Sequence, residues 1–76
     1  RGESEEGYER DLKALTSREK DVLKCLAIGM SNQDVANYLN ITLGTVKVHV
    51  KHLLKKMSFE SRTQAALWAK DRGLGI

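Results

Sequence analysis

The chain has 76 residues, with 13 lysines and arginines against 10 acidic residues, so its formal net charge at pH 7 is +3. This length holds one small domain and excludes the large enzyme folds, which need several times as many residues. The single cysteine excludes an internal disulfide, and no apolar run approaches the ~18 residues of a membrane span. We therefore expect one small domain without a membrane anchor.

Charge is divided unevenly along the chain. Residues 1–12 carry two basic and five acidic side chains, whereas residues 13–76 carry eleven basic and five acidic ones. Residues 1–12 are also poor in apolar side chains, which is typical of a largely disordered interdomain linker. Because the chain opens on Arg1 without an initiator methionine, we expect a piece of a longer protein whose folded domain is 13–76.

Helical periodicity and helix end signals predict an all-α fold, a compact domain of four helices. The predicted helices are about 17–28, 32–39, 43–57 and 62–72. The side chains that can cap their starts belong to Thr16, Ser31, Thr42 and Ser61. Capping boxes are predicted for Thr16 with Glu19 and for Ser61 with Gln64. The residues expected to stop helices 1, 2 and 4 are Gly29, Asn40 and Gly73.

The predicted connection between helices 2 and 3 is only three residues long, Asn40, Ile41 and Thr42. So short a turn makes the two helices cross steeply, as in a helix-turn-helix pair. We expect Ile41 to fill the space beneath the turn. An ordinary corner of a small helical bundle has similar spacing, so the charge on helix 3 must distinguish the two interpretations.

Helix 3 has an apolar face and an opposite basic face when its residues are spaced at 100° intervals. The apolar face contains Val46, Val50, Leu53, Leu54 and Met57. The opposite face contains Lys47, Lys51, His52 and Lys55, with Val48 among them, and no acidic residue occurs between Asp34 and Glu60. A valine gains nothing from solvent, but in a DNA major groove it can contact a thymine methyl group. The pattern favours a DNA-reading helix over a solvated basic face.

Candidate DNA contacts follow from the direction of this helix. The start of a recognition helix inserts deepest, and the candidates there for base reading are Lys47, Val48 and Lys51. Lysines two turns later are expected near the phosphate backbone, namely Lys55 and Lys56. Ser31, Asn32 and Thr45 offer hydroxyl, amide or backbone N–H groups to phosphates. Helix capping explains these last three residues at least as well.

Catalytic and metal sites find no support in the sequence. Nothing resembles a nucleophile with its base and orienting group, so we predict no enzyme and no cofactor. His49 and His52 lie three residues apart, but without an acidic partner nearby a zinc site is disfavoured, and we predict no metal. Cys25 is expected to be a buried, inert thiol.

Helix 4 carries more apolar side chains than a core-facing stripe needs. The run consists of Ala65, Ala66, Leu67, Trp68 and Ala69. A surplus face would allow two copies to pair and to place two recognition helices on a two-fold DNA site. The open alternative is that all five side chains fill the core.

Three segments, in this order, resemble the LuxR-type helix-turn-helix domain. They are LTSRE at 15–19, GMSNQDVA at 29–36 and TVKVHVKHLLKKM at 45–57, and the resemblance covers about residues 13–72. Within that family, 45–57 together with Ser61, Arg62, Ala65 and Ala66 is most similar to response regulators of the NarL/FixJ class, especially nitrate/nitrite regulators.

The resemblance implies a bacterial, cytoplasmic transcription factor of a two-component regulatory system. Its N-terminal receiver domain would be phosphorylated on Asp by a sensor kinase, and helix 4 would be the dimerisation helix. The positions matching base-reading residues are Lys47, Val48 and Lys51, and those at or near the DNA backbone are Thr45, His52, Lys55 and Lys56. Two residues depart from the family pattern: Gln33 stands where a Lys is common, and Gly44 is a poor helix former in the first turn of helix 3.

A rival hypothesis of another class is a protein-interaction module whose basic helix docks on an acidic partner. The two hypotheses predict different responses to salt. For double-stranded DNA, log K falls steeply and linearly with log[salt], because counterions compete for the phosphates.

Overall fold

The computed structural model describes residues 12–76, which contain four complete helices and no β-strand. The helices are α1 (Ser17–Ala27), α2 (Asn32–Leu39), α3 (Leu43–Lys56) and α4 (Arg62–Asp71). The predicted all-α fold is confirmed for this part of the chain. The linker predicted at 1–12 lies outside the described residues except for Leu12, which packs against the core. Within residues 12–76, every helix is too short or too polar to span a bilayer.

Three of the helices end one residue earlier than predicted. The residues concerned are Ile28, Met57 and Arg72, which follow α1, α3 and α4 as C-caps. Their backbone N–H groups still donate to helix carbonyls, as from Ile28 to Cys25 at 3.2 Å. Their ψ angles are 11°, 4° and 6°, outside the helical range, so each helix ends at the residue before its C-cap.

Side chains cap the helix starts, with one departure from the predicted pattern. Thr16 Oγ1 accepts from the Glu19 N–H at 3.1 Å, and Glu19 Oε1 accepts from the Thr16 N–H at 2.9 Å, so this box is reciprocal. Ser61 Oγ accepts from the Gln64 N–H at 3.1 Å, but Gln64 Oε1 accepts from the Glu60 N–H at 2.6 Å. The φ of Ser61 is −154° against −71° for Thr16, so the backbone enters the two helices in different conformations. The second predicted box is therefore only half formed.

One face of each helix contributes to a shared hydrophobic core. The side chains with at most 1% exposure are Val22, Leu23, Cys25, Val35, Val46, Leu53, Ala65 and Ala69. α1 packs against both α3 and α4, and α2 packs against α3. The predicted apolar face of α3 is confirmed, because Val50 and Met57 are also buried and Leu54 is half-buried.

The turn between α2 and α3 fixes where α3 begins. Asn40 adopts the left-handed conformation with φ of 58°, and the Ile41 N–H donates to the Ala36 carbonyl at 3.0 Å. Ile41 is half-buried and packs against the core, as predicted. Thr42 Oγ1 then accepts from the Thr45 N–H at 3.1 Å and caps α3. The turn thus starts α3 directly after α2 and anchors both helices to the core.

We expect Asn40→Ala to lower the free energy of unfolding by about 1 kcal/mol, because an alanine is strained in the left-handed region that asparagine tolerates. Asn40→Gly should match or exceed the stability of the unmodified chain, since glycine adopts positive φ without that strain. Chemical denaturation of the three proteins measures the difference. Equal losses for alanine and glycine would show that the side chain of Asn40, and not its backbone conformation, stabilises the turn.

Candidate nucleic-acid interface

One side of α3 presents lysines and a valine to solvent. We call this side the basic face, and its members are Lys47, Val48, Lys51 and Lys55. All four are exposed, and Val48 is 49% exposed although its side chain is apolar. The other side of the helix is buried, with Val46 and Leu53 fully inaccessible. The predicted division of this helix into a core side and a basic side is confirmed.

The charge of the basic face is not neutralised by the described part of the chain. Among residues 12–76, no carboxylate forms an ion pair with Lys47, Lys51 or Lys55. α3 itself contains no acidic residue. Unpaired ammonium groups beside an exposed branched side chain match a polyanion that also offers methyl groups, which is the chemistry of a DNA major groove.

The capping interpretation is confirmed for Ser31, whereas the cap of α3 is Thr42 and not Thr45. Ser31 Oγ accepts from the Asp34 N–H at 3.1 Å, which begins α2. The hydroxyl oxygens of Thr42 and Thr45 lie 2.8 Å apart, so these side chains are hydrogen-bonded to each other at the start of α3. Both Ser31 and Thr45 are exposed, and their contacts with phosphates stay predictions.

The side chain of Asn32 is hydrogen-bonded to Arg62 of α4. One nitrogen of the Arg62 guanidinium donates to Asn32 Oδ1, and the other donates to the Met30 carbonyl at 3.1 Å. These bonds tie the start of α4 to the start of α2. The two side chains are 30 residues apart in sequence, so no local pattern predicts the contact. If Asn32 contacts a phosphate, its side chain is already held in place by Arg62 before DNA binds.

Two of the predicted backbone contacts, His52 and Lys56, face a buried carboxylate of α1. Glu19 is only 3% exposed, and Lys56 Nζ donates to its Oε1 at 2.7 Å. His52 Nδ1 lies 3.8 Å from Glu19 Oε2, while the His52 side chain remains 54% exposed. The ammonium of Lys56 is therefore engaged inside the domain, unlike that of Lys55.

The pKa of Glu19 reflects this arrangement. Burial alone raises the pKa, but the hydrogen bonds from Lys56 and Thr16 and the charge of Lys56 outweigh it and hold the pKa below the ordinary value of 4.5. Glu19 is thus a carboxylate at neutral pH and serves both as a helix cap and as the partner of α3. The capping role was predicted, whereas the ion pair with Lys56 was not.

The structure divides the apolar residues of α4 between the core and the surface. Ala65 and Ala69 are fully buried within the domain. Leu67 is 63% exposed, and Ala66 is half-buried. Ala65 and Ala69 are buried and cannot contact a second copy. Of the first three residues of the run and Ala69, only Ala66 and Leu67 remain as candidates for the predicted dimerisation surface.

Trp68, the fourth residue of that run, is engaged within its own chain. Its ring lies 5.5 Å from the Phe59 ring, measured between centroids, with the planes tilted by 60°. The Arg72 guanidinium lies 4.9 Å from the centroid of the Trp68 ring, a cation–π distance. The half-buried indole therefore packs the end of α4 onto the segment that follows α3.

No metal-binding group is formed by the described residues. Among them, no cluster of three or more His, Cys, Asp and Glu side chains is arranged around a common point. Cys25 is fully buried, and burial, with a smaller effect from Asp21, raises the pKa of its thiol. His49 Nδ1 is buried and has no hydrogen-bond partner within 12–76.

Comparison with known proteins agrees with this geometry. The nitrate/nitrite response regulator protein NarL of Escherichia coli (strain K12) is 57% identical over 60 residues, 79% of this chain and 28% of NarL. The nitrate/nitrite response regulator protein NarP of the same strain is 48% identical over 69 residues, 88% of this chain and 32% of NarP. The response regulator protein VraR of Staphylococcus aureus (strain Mu3 / ATCC 700698) is 43% identical over 60 residues, 79% of this chain and 29% of VraR.

The chain spans less than a third of the length of each of these relatives. Residues 13–69 match the family described as bacterial regulatory proteins, luxR family. The match begins where the described domain begins, and it includes both helices of the helix-turn-helix and most of α4. The resemblance expected from the three sequence segments is confirmed: the chain belongs to the luxR family of bacterial regulatory proteins.

Proposed function

We propose that the chain is a sequence-specific DNA-binding effector domain of a two-component transcription regulator, with α3 in the major groove. The observation that carries this proposal is the basic face, an exposed valine among three exposed lysines that pair with no carboxylate of residues 12–76. The core fixes this face outward, because the opposite side of α3 is buried. Family membership and the names of the relatives as response regulators support the same function.

Roles follow from the position of each side chain along α3. Lys47, Val48 and Lys51 read base edges. Lys55 contacts the phosphate backbone, joined there by Ser31, Asn32, Thr45 and His52. Lys56 is the weakest candidate for a phosphate contact, because DNA would have to compete with Glu19 at 2.7 Å for its ammonium.

Selection of bound duplexes from a pool with a randomised centre tests the proposal. We expect one sequence motif to be enriched, and log K for the selected duplex to fall linearly with log[salt] with a slope of about −0.9 per phosphate neutralised. Failure to enrich any motif at low salt would overturn it. Binding to an acidic protein in place of DNA would instead support the rival interaction module.

We expect Val48→Ala to lower discrimination between the selected duplex and one with the contacted thymine changed to uracil by about 1 kcal/mol, since two methyl groups leave the contact. The free energy of unfolding should change little, because the side chain is half exposed in the free domain. Competition binding with the two duplexes measures the effect. An unchanged preference in the variant would remove Val48 from the base-reading set.

Pairing of two copies on DNA is part of the same proposal. Leu67 on α4 and Ile28 after α1 are 63% and 51% exposed, and they border one shallow groove with Ala66 and Leu74. Two copies joined through this surface would present two α3 helices to a two-fold site. Sedimentation with the selected duplex is expected to give two chains per duplex, and one chain per two-fold site would contradict the pairing.

Regulation by a receiver domain is proposed from the relatives. In this scheme a receiver domain N-terminal to residue 13 covers α3 until it is phosphorylated by a sensor kinase, in the bacterial cytoplasm where the DNA lies. The test compares DNA affinity of this chain with that of a receiver-containing protein, phosphorylated and unphosphorylated. Equal affinities for all three would remove the scheme.

A further inference from the structure

Gly44 lies on the side of α3 that carries the basic face. It precedes Val48 by four residues and Lys51 by seven, the two spacings that place residues on one side of a helix. Like those residues it is exposed, and it is the second residue of α3. On this side of α3, Gly44 exposes backbone, whereas all the remaining positions carry side chains.

Nothing within the described domain requires a glycine at this position. The backbone at Gly44 does not adopt positive φ, in contrast to Gly29 and Gly73. Apart from its chain neighbours and the nearby backbone of α3, a Cβ built on Gly44 would meet no atom of the described residues within 4 Å. Glycine destabilises a helix relative to alanine, so the residue lowers the stability of α3 without relieving any clash or strain in the free domain.

We infer that Gly44 is a specificity-determining position that acts through the side chain it lacks: the DNA duplex approaches the α3 backbone at Gly44 more closely than a Cβ would allow. This inference rests on the proposed function and adds the depth at which α3 sits in the groove. A glycine that the fold does not require is explained when a second molecule approaches the backbone there.

The short side chain of Val48 provides a second argument. Lysines reach a base from a distance, but a valine extends by only one carbon beyond its Cβ and contacts a thymine methyl group only if the helix lies close to the base pairs. Gly44 lies one turn before Val48 on the same side, so bulk at position 44 would lift that turn away from the groove. A larger side chain at position 44 should therefore also remove the contribution of Val48 to discrimination between duplexes.

The experiment compares the unmodified chain with Gly44→Ala, Gly44→Leu and the matched control Asn37→Ala. Asn37 is an exposed residue of α2 whose side chain accepts a bond from Gln33 at 3.2 Å, and it also gains helix propensity on substitution. We measure the thermal midpoint of each free protein and its affinity for the duplex that the unmodified chain selects.

We expect Gly44→Ala to raise the thermal midpoint by about 4 °C while weakening DNA binding about tenfold, as for over-packing of a close contact. Gly44→Leu should bind more weakly still, and Asn37→Ala should bind like the unmodified chain. In the Gly44→Ala background, Val48→Ala should cost less discrimination than it does alone.

Unchanged affinity in Gly44→Ala, or equal losses in Gly44→Ala and Asn37→Ala, would overturn the inference. So would a fall in the thermal midpoint of Gly44→Ala, because it would show that the fold itself requires the glycine. In each of these outcomes the unmodified chain still selects DNA, so the proposed function stands. If the unmodified chain selects no duplex, the proposed function fails and the inference fails with it.

Discussion

Lys56→Met is expected to unfold with a free energy about 2 kcal/mol lower than that of the unmodified chain at neutral pH, because it leaves Glu19 buried without its nearest cation. The loss is smaller than for a fully buried pair, since the Lys56 side chain is 36% exposed and water already screens it in part. His52 at 3.8 Å offers incomplete compensation. Chemical denaturation at several pH values measures both the loss and its pH dependence.

The sign of the pH dependence follows from the lowered pKa of Glu19. A carboxyl group with a folded-state pKa below its ordinary value of 4.5 stabilises the fold above that pH, and the stabilisation is lost as pH falls through the folded-state pKa. Lys56→Met removes the hydrogen bond and the charge of Lys56, which lower the pKa together with the bonds from Thr16, so the difference between the two proteins should shrink as Glu19 becomes protonated. A difference that stays constant across this range would assign the loss to packing of the lysine stem.

Lys55→Met is the matched control for this prediction. Lys55 is adjacent in sequence and exposed, and it pairs with no carboxylate among the described residues, so its loss should change the free energy of unfolding by less than about 0.5 kcal/mol. For DNA binding, the variant with the larger effect should be Lys55→Met and not Lys56→Met. Lys55→Met should weaken affinity more than Lys56→Met does, because the Lys56 ammonium is held by Glu19, whereas no carboxylate within 12–76 holds that of Lys55. Equal effects of the two variants on both properties would contradict the assignment.

The features of this domain that could be predicted from the sequence depend on residues within one or two helix turns of each other. Caps at Thr16, Ser31 and Thr42 are local, since each side chain bonds an N–H three residues later. The two sides of α3 follow from helical spacing, and a central helix of a small domain must turn its apolar side inward. Three helix ends were missed by one residue because the C-cap residue leaves the helical ψ range, a backbone change that leaves no mark in composition.

The parts that sequence did not predict depend on how the helices pack. Glu19 and Lys56 lie 37 residues apart, and only the packing of α1 on α3 brings the carboxylate to the end of the basic helix. The hydrogen bond between Arg62 and Asn32 likewise depends on the packing of helices that are distant in sequence. Periodicity also could not assign the alanines of α4, because an alanine suits a core and a surface equally well. The structure places Ala65 and Ala69 in the core and leaves Leu67 exposed.

The double variant Lys47→Ala/Lys51→Ala is expected to bind the selected duplex about 100-fold more weakly, from a tenfold loss for each lysine contact. Both side chains are exposed and unpaired within 12–76, so the thermal midpoint should change little. The single variants separate the roles of the two residues. A lysine that reads a base relaxes the preference at one position of the motif, whereas one that contacts phosphate weakens all duplexes and reduces the salt slope by about 1.

Lys13→Ala/Lys20→Ala removes the same net charge from exposed positions outside α3 and serves as the control. If binding depended on total charge, both double variants would lose similar affinity and both would keep the motif. A groove-reading α3 predicts a large loss and a blurred motif for Lys47→Ala/Lys51→Ala, against a small and sequence-independent loss for the control. A fully retained motif in the first variant would remove Lys47 and Lys51 from the base-reading set.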